Sequence, residues 1–188
     1  MVSIDAPAFV AEDSDFIARV NVTGAVFYSA DYEIVFNPDV FEVGNVTSGQ
    51  IYGNVISVDT WQVVTPGVIR VTQSASELYG GNGSGYIADL HFHVIGSGNS
   101  SSEIDFTNGV FKDISANQMP ATWTGKAGIE VYKPGDANND GSVNNLDIAK
   151  LEMIIVGLDS PDPGADANGD GNVNALDITK IEMVIMGK

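Results

Sequence analysis

The sequence predicts an antiparallel all-β sandwich over residues 1–133 followed by a small all-α module over residues 134–188. Three observations carry this reading. Apolar residues alternate with polar ones, between glycine-, asparagine- and serine-rich turns, as far as Tyr132. The alternation stops after Lys133. Beyond it an acidic dozen, "DANNDGSVNNLD" at Asp136–Asp147, returns as "DANGDGNVNALD" at Asp166–Asp177, each time just ahead of an apolar run.

The strands come first. "DFIARVNV" sets Phe16, Ala18, Val20 and Val22 against Asp15, Ile17, Arg19 and Asn21, and "YEIVFNP" sets Tyr32, Ile34 and Phe36 against Glu33, Val35 and Asn37. "NVISVDTWQVV", "GVIRVTQ", "GYIADLHFHVIG", "SSEIDF" and "GKAGIEVY" follow, separated by clusters such as "YGGNGSG" and "GSGNSSS". About eight or nine short β-rich runs with no long helical period point to a sandwich or barrel. Pro38 falls at a strand end, where its missing N–H costs nothing. "KPG" at Lys133–Gly135 reads as a short hinge.

Charge narrows the function. The formal net charge is −17, so nucleic acid and anionic lipid are repelled while cations and basic partners are favoured. Residues 1–134 carry 15 acids against 5 bases (net −10) and residues 135–188 carry 10 against 3 (net −7), so acid is densest at the C-terminal end. Cysteine is absent, which excludes disulfides and thiolate metal sites. No apolar run reaches spanning length and no leader pattern follows Met1, so membrane insertion is not expected of this stretch.

Counting Asp136 as loop position 1, oxygen-bearing side chains stand at 1, 3, 5, 7, 9 and 12: Asp136, Asn138, Asp140, Ser142, Asn144 and Asp147. The second copy offers Asp166, Asn168, Asp170, Asn172, Asn174 and Asp177, and Gly141 and Gly171 hold position 6. This is the spacing of an EF-hand loop, with the position-7 ligand a backbone carbonyl and a glycine at the sharp turn. Hard oxygens without imidazole or thiol select calcium, and two loops predict two calcium (Ca2+) ions. A polar turn that merely caps a helix is the alternative. Position 12 is Asp rather than Glu. Proline in "EVYKPG" and "SPDPGA" stops a helix from leading into either loop, so each unit is loop then helix.

Residues 136–157 and 166–187 are identical at 15 of 22 positions. Ile148, Leu151 and Ile155, like Ile178, Ile181 and Ile185, fall at i, i+3 and i+7 and read as core. A second stripe, Leu146, Lys150 and Met153, recurs as Leu176, Lys180 and Met183. It is read as a partner surface, with ordinary amphipathic breadth as the alternative.

With valine at loop position 8 (Val143, Val173) and asparagine at 9, residues 135–188 resemble the type I dockerin module, in which two calcium loop–helix units pack as a pseudo-twofold pair. By that resemblance Asn145, Leu146, Glu152 and Met153, then Ala175, Leu176, Glu182 and Met183, read the partner. "YEIVFNPDVFEVGNVTSG", "GSGYIADLHFHVIG" and "GKAGIEVY" resemble strands of cohesins, which implies a nine-stranded jelly-roll sandwich that binds dockerins on one sheet face. Glu33, Val35, Asn37, Arg70 and Thr72 are then the outward residues of that face; a merely solvated face is the alternative. The whole resembles a non-catalytic, calcium-dependent adaptor of extracellular or cell-surface assemblies. Its partners would be dockerin-bearing and cohesin-bearing proteins, with weak self-association possible. A carbohydrate-binding sandwich carried to a scaffold by its dockerin is the runner-up, for which Trp61 and Trp123 are the tryptophans available.

Other features carry less. His91 and His93 share a strand face and lack a third ligand. "GGNGSG" lacks the helix and lysine of a phosphate loop. Sequons at Asn21, Asn45, Asn82 and Asn99 suit exposed loops, and no acid pair is spaced as a catalytic couple.

Overall fold

The computed structural model describes residues 1–75 and 81–187. Twelve strands are formed among them: β1 (Val2–Asp5), β2 (Phe9–Ala11), β3 (Asp15–Phe27), β4 (Ser29–Val35), β5 (Phe41–Ile51), β6 (Asn54–Thr65), β7 (Val68–Ala75), β8 (Gly81–Val94), β9 (Ser101–Lys112), β10 (Gln118–Met119), β11 (Trp123–Thr124) and β12 (Lys126–Tyr132). Two helices follow, α1 (Asn145–Ile155) and α2 (Ala175–Ile185), with a 3-10 turn at Pro163–Ala165 between them. None of the helices is long and apolar enough to cross a membrane.

The chain divides into two compact units. The first comprises Met1–Ala8, Asp15–Ile95 and Ser101–Ile129; the second comprises Phe9–Ser14, Gly96–Ser100 and Glu130–Lys188.

Strand order runs β11-β1-β3-β8-β5-β6-β7-β4-β9-β12-β2, with β10 paired to β9. The strands thus form one curled, hydrogen-bonded path rather than two separate sheets. The join is the β5–β6 hairpin, where Gly49, Gln50 and Ile51 pair with Ile56, Val55 and Asn54. Gly49 is required there: a Cβ would meet the Tyr86 backbone oxygen at 2.3 Å. The count exceeds the expected nine because the first run is split in two around Pro7 and because β10 and β11 are two-residue bridges.

Alternation decides which face is inside. Phe16, Ala18, Val20 and Val22 of β3, Ile69 and Val71 of β7, and Leu90, Phe92 and Val94 of β8 are all buried. Phe92 stacks on Phe16 at 5.3 Å and meets Phe36 edge-on at 5.1 Å, while Phe16 meets Phe41 at 4.9 Å. Each such pair adds about 0.5–1.5 kcal/mol beyond its buried area. Trp123 packs against Tyr32, Phe106 and Phe111 at 5.5, 5.1 and 5.0 Å, and Gly109 leaves room for its ring. The buried Tyr32 hydroxyl donates to Gln73 Oε1 at 2.8 Å, and Gln73 donates to the Ile87 carbonyl; among the described residues no buried side-chain nitrogen or oxygen lacks a partner.

The second unit has a much smaller core. Ala137, Leu151, Ala165, Ala167 and Ile181 are enclosed, with Val143, Ile148, Ile154, Val173 and Ile178 packed against them. Both repeats contribute loop residues to it, Ala137 and Val143 from the first and Ala167 and Val173 from the second. The expected stripe is corrected at its end. Ile155 and Ile185 are 41% and 43% exposed, and Ile154 takes the inner place instead. The inward arc is rotated rather than shortened: the fully buried Asp147 and Leu151 stand at i and i+4, Ile154 follows at i+7, and Ile155 is left at the edge. Asp177 and Ile181 are buried likewise and Ile185 is left exposed.

Candidate metal loops and docking surfaces

Both loops are built by side-chain oxygens folding the backbone around themselves. In the first, Asp136 Oδ1 accepts the Asp140 N–H at 3.0 Å and its Oδ2 the Gly141 N–H at 2.8 Å. Asp147, at position 12, accepts from Asn138 N–H at 3.1 Å and Asn144 N–H at 2.8 Å. The second loop repeats this: Asp166 accepts from Gly169, Asp170 and Gly171, and Asp177 from Asn168 and Asn174. The turn at position 6 needs left-handed backbone, and Gly141 (φ 89) and Gly171 (φ 83) supply it.

The loop also starts the helix. Asn144 and Asn174 are N-caps that accept the N–H of Leu146 and Leu176, while Asp147 and Asp177 reach back to the cap N–H, completing a capping box each. One carboxylate therefore fixes both the loop's closure and the helix's first turn. β12 precedes the first loop and the 3-10 turn precedes the second, so no α-helix leads into either.

Asp147 and Asp177 are fully buried and Asp136 is 3% exposed. No ion pair among the described residues supplies any of them with a basic partner. Burying a carboxylate is costly without compensation, and two amide bonds offset only part of that cost. Each oxygen keeps lone-pair capacity after accepting one N–H. The six-position oxygen set, Asp136, Asn138, Asp140, Ser142, Asn144 and Asp147, with Asp166, Asn168, Asp170, Asn172, Asn174 and Asp177, suits a hard cation such as calcium. Much of the set is amide or backbone oxygen. No group of three or more His, Cys, Asp or Glu side chains among the described residues is arranged as a metal cluster.

The helix stripe is exposed. Leu146 and Leu176 are 62% and 61% accessible, Met153 and Met183 are 45% and 41%, and Asn145, Ala175, Glu152 and Glu182 are exposed beside them. The copies differ at the lysine. Lys150 donates to Asp159 Oδ2 at 2.8 Å, which holds the Asp159 carboxyl below the usual carboxylate range, whereas Lys180 is exposed. Ile155 and Val156, absent from the expected surface, join Met153, Ala175 and Ile178 around an apolar depression of about 450 Å³. Their apolar run at the helix end was the available signal.

On the sheet, Glu33, Arg70 and Thr72 share one outward face. Cross-strand register builds its rows: Asn108–Glu33–Arg70–Gln62, then Val110–Asp31–Thr72–Thr60, and Asp105–Val35–Val68–Thr65. Arg70 is committed to its diagonal neighbour. Its Nε and terminal nitrogen donate to the Asp31 oxygens at 2.8 and 2.6 Å, which lowers the Asp31 pKa. Thr72 bonds the Thr60 hydroxyl at 2.8 Å. Asn37 is exposed but lies past the end of β4, where its side-chain oxygen accepts the Asp39 N–H in a turn. Trp123, packed in its aromatic cluster, is no flat sugar platform. His93 pairs with Asp15 and His91 with Thr47.

The profile of the Cohesin domain matches residues 2–131, and that of the Dockerin type I domain matches residues 134–185. No curated protein matches the chain. Among solved structures, a cohesin module from a Clostridium perfringens family 33 glycoside hydrolase has TM-score 0.60 at 16% identity, covering 70% of this chain and 96% of that one. The sixth cohesin of Acetivibrio cellulolyticus scaffoldin B, solved with a mutant dockerin, has TM-score 0.56 at 17% identity, covering 70% and 96%. The cohesin of a type I cohesin–dockerin complex from Clostridium thermocellum has TM-score 0.56 at 16% identity, covering 70% and 99%. At such identities the likeness concerns the fold.

Proposed function

The chain belongs to the cohesin family and continues into a type I dockerin domain; from this premise we propose that it is a calcium-dependent adaptor with two calcium sites, working outside the cell or at its surface. Cohesin and dockerin domains are non-catalytic assembly modules that bind dockerin-bearing and cohesin-bearing partners. Along the sequence the cohesin-like module is read as residues 1–133 and the dockerin module as residues 134–188, with Phe9–Ser14, Gly96–Ser100 and Glu130–Lys133 packing in the second compact unit. The dockerin stripe comprises Leu146, Lys150 and Met153 with Leu176, Lys180 and Met183, and the receiving face comprises Glu33, Val35, Asn37, Arg70 and Thr72.

One observation supports calcium dependence above the rest: Asp147 and Asp177 are buried carboxylates that close a loop and cap a helix at once. Bound calcium would supply the positive charge that these oxygens lack. Asp147 then holds Asn144 as N-cap, and Asn144 starts the helix that carries Leu146 and Met153. Loop and docking surface are thus mechanically one piece. The second repeat presents the same stripe, so either helix can lead in a docked complex.

Calorimetric titration of the chain against a type I cohesin and against a type I dockerin, with calcium and with EDTA, tests the proposal. Cohesin binding is expected only with calcium. Met153→Asp should be partly rescued by the second repeat, and adding Met183→Asp should abolish binding. Binding unaffected by EDTA refutes calcium dependence, and complete loss in one single variant refutes the dual mode.

A further inference from the structure

Residues Phe9–Ser14 and Gly96–Ser100 lie within the span of the cohesin profile, yet they pack in the second unit with the loops and helices. They grip the end of β12 from both edges. On one side Val131 and Tyr132 pair with Val10 and Ala11, and the Glu12 N–H donates to the Tyr132 carbonyl at 2.9 Å. On the other, the Asn99 N–H donates to the Val131 carbonyl and the Val131 N–H to Ser100, at 2.9 and 2.8 Å. Glu12 ties the two segments together, its Oε2 accepting the Gly98 N–H at 2.9 Å. Gly98 is pressed on the chain beyond, where an added Cβ would stand 2.9 Å from the Lys133 Cβ.

That gripped strand leads directly into the first loop. The Lys133 carbonyl accepts the Asp136 N–H at 3.0 Å, and the Gly135 N–H donates to Gly164 at 2.9 Å. The stretch read as a hinge is thus bonded in place. Asn99 reaches the loop's turn: a Cβ on Gly141 would stand 3.7 Å from its Nδ2. The loops differ accordingly, Asp136 being buried and Asp166 only half-buried.

We propose that Phe9–Ser14 and Gly96–Ser100 form a collar that positions the first calcium loop, with Glu12 as its positioning residue. The inference rests on the calcium reading above. A collar that holds Asp136 in place before the ion arrives lowers the ordering cost at the first site only. By reciprocity, calcium at that site tightens the collar.

The test uses the full chain, titrated with calcium by amide NMR. Gly141 and Gly171 donate to Asp136 and Asp166 respectively, so their resonances follow the two sites separately. Glu12→Ala is expected to weaken the first site about tenfold, in the range of outer partners of metal ligands. The second site should stay within about twofold. Glu12→Gln keeps an acceptor for the Gly98 N–H and should restore the first site. Gly98→Ala, which pushes on Lys133, should act in the same direction as Glu12→Ala. In the wild type, calcium should slow hydrogen exchange at Gly98 and Asn99. Unchanged affinity in Glu12→Ala, equal loss at both sites, or failure of Glu12→Gln to restore binding overturns the collar while leaving the calcium reading intact. A chain that binds no calcium at all overturns both.

Discussion

The curled sheet and the loop–helix repeats are stabilised in opposite ways. The sheet encloses Tyr32, Phe41, Phe92 and Phe111 almost completely, and its stability is chiefly apolar burial and aromatic packing. The repeats enclose Leu151, Ile181 and three alanines, and surround them with carboxylates bound to amides. The first arrangement is complete as it stands. The second gathers negative charge beside a small core; on the calcium reading proposed above a cation would complete it, which would make its order a switchable property.

The largest expected effect that would sharpen this contrast is core truncation. Phe92→Ala should destabilise the sheet by about 3–5 kcal/mol and Ile181→Ala the repeats by about 2–5 kcal/mol. The sheet should survive its loss in a weakened state, whereas the repeats should lose helix altogether unless calcium is in excess. Urea unfolding followed separately by Trp fluorescence and by helical circular dichroism checks this. Parallel small shifts in both signals would break the comparison.

A change of sign comes next. Asp147→Asn removes a buried negative charge but keeps one oxygen for an amide. Without calcium the variant should be as stable as the wild type or more so. With calcium it should be less stable, by roughly 1–3 kcal/mol, as befits a lost charged partner. Melting temperatures in EDTA and in calcium decide it. Destabilisation in both conditions would mean that the carboxylate acts only as a helix cap.

The smallest effect concerns the sheet's outward face. The Arg70 hydrogen bonds hold the Asp31 pKa below its unfolded value of about 3.9. The pair's contribution to stability is therefore present above about pH 4 and lost as pH falls through the lower folded value. Arg70→Leu should flatten that part of the acid unfolding curve and leave neutral stability almost unchanged, since the pair is solvent-exposed. An equal acid dependence in wild type and variant would remove Asp31 from the account.

Features that depend on chain-local spacing were legible in the sequence. Period-two alternation placed Phe16 to Val22 and Tyr32 to Phe36 on their buried faces. Loop positions could be counted because Asp136 and Asp147 lie on one short segment, and Gly141 and Gly171 marked the left-handed turns. What required the third dimension was not legible. Asp31 and Arg70 lie 39 residues apart and meet only through the β4–β7 register. Register in turn depends on irregularities such as that between Val43 and Asn45, which no local pattern announces. Ile154 and Ile155 are equivalent by composition, and only the burial of the Asp147 carboxylate beside Leu151 turns the arc so that Ile154 lies inward. The union of the sheet through β5 and β6, and the grip on β12 by residues 9–14 and 96–100, are likewise products of long-range packing.

The most direct test of the central claim is hydrogen exchange on the whole chain in calcium and after chelation. Amides of residues 136–187, above all those of α1 and α2, should be strongly protected with two calcium ions per chain and should lose that protection in EDTA. Amides of β3, β4, β7 and β8 should exchange at the same rate in both. Helices that stay equally protected without calcium, or strands that lose protection along with them, would contradict it.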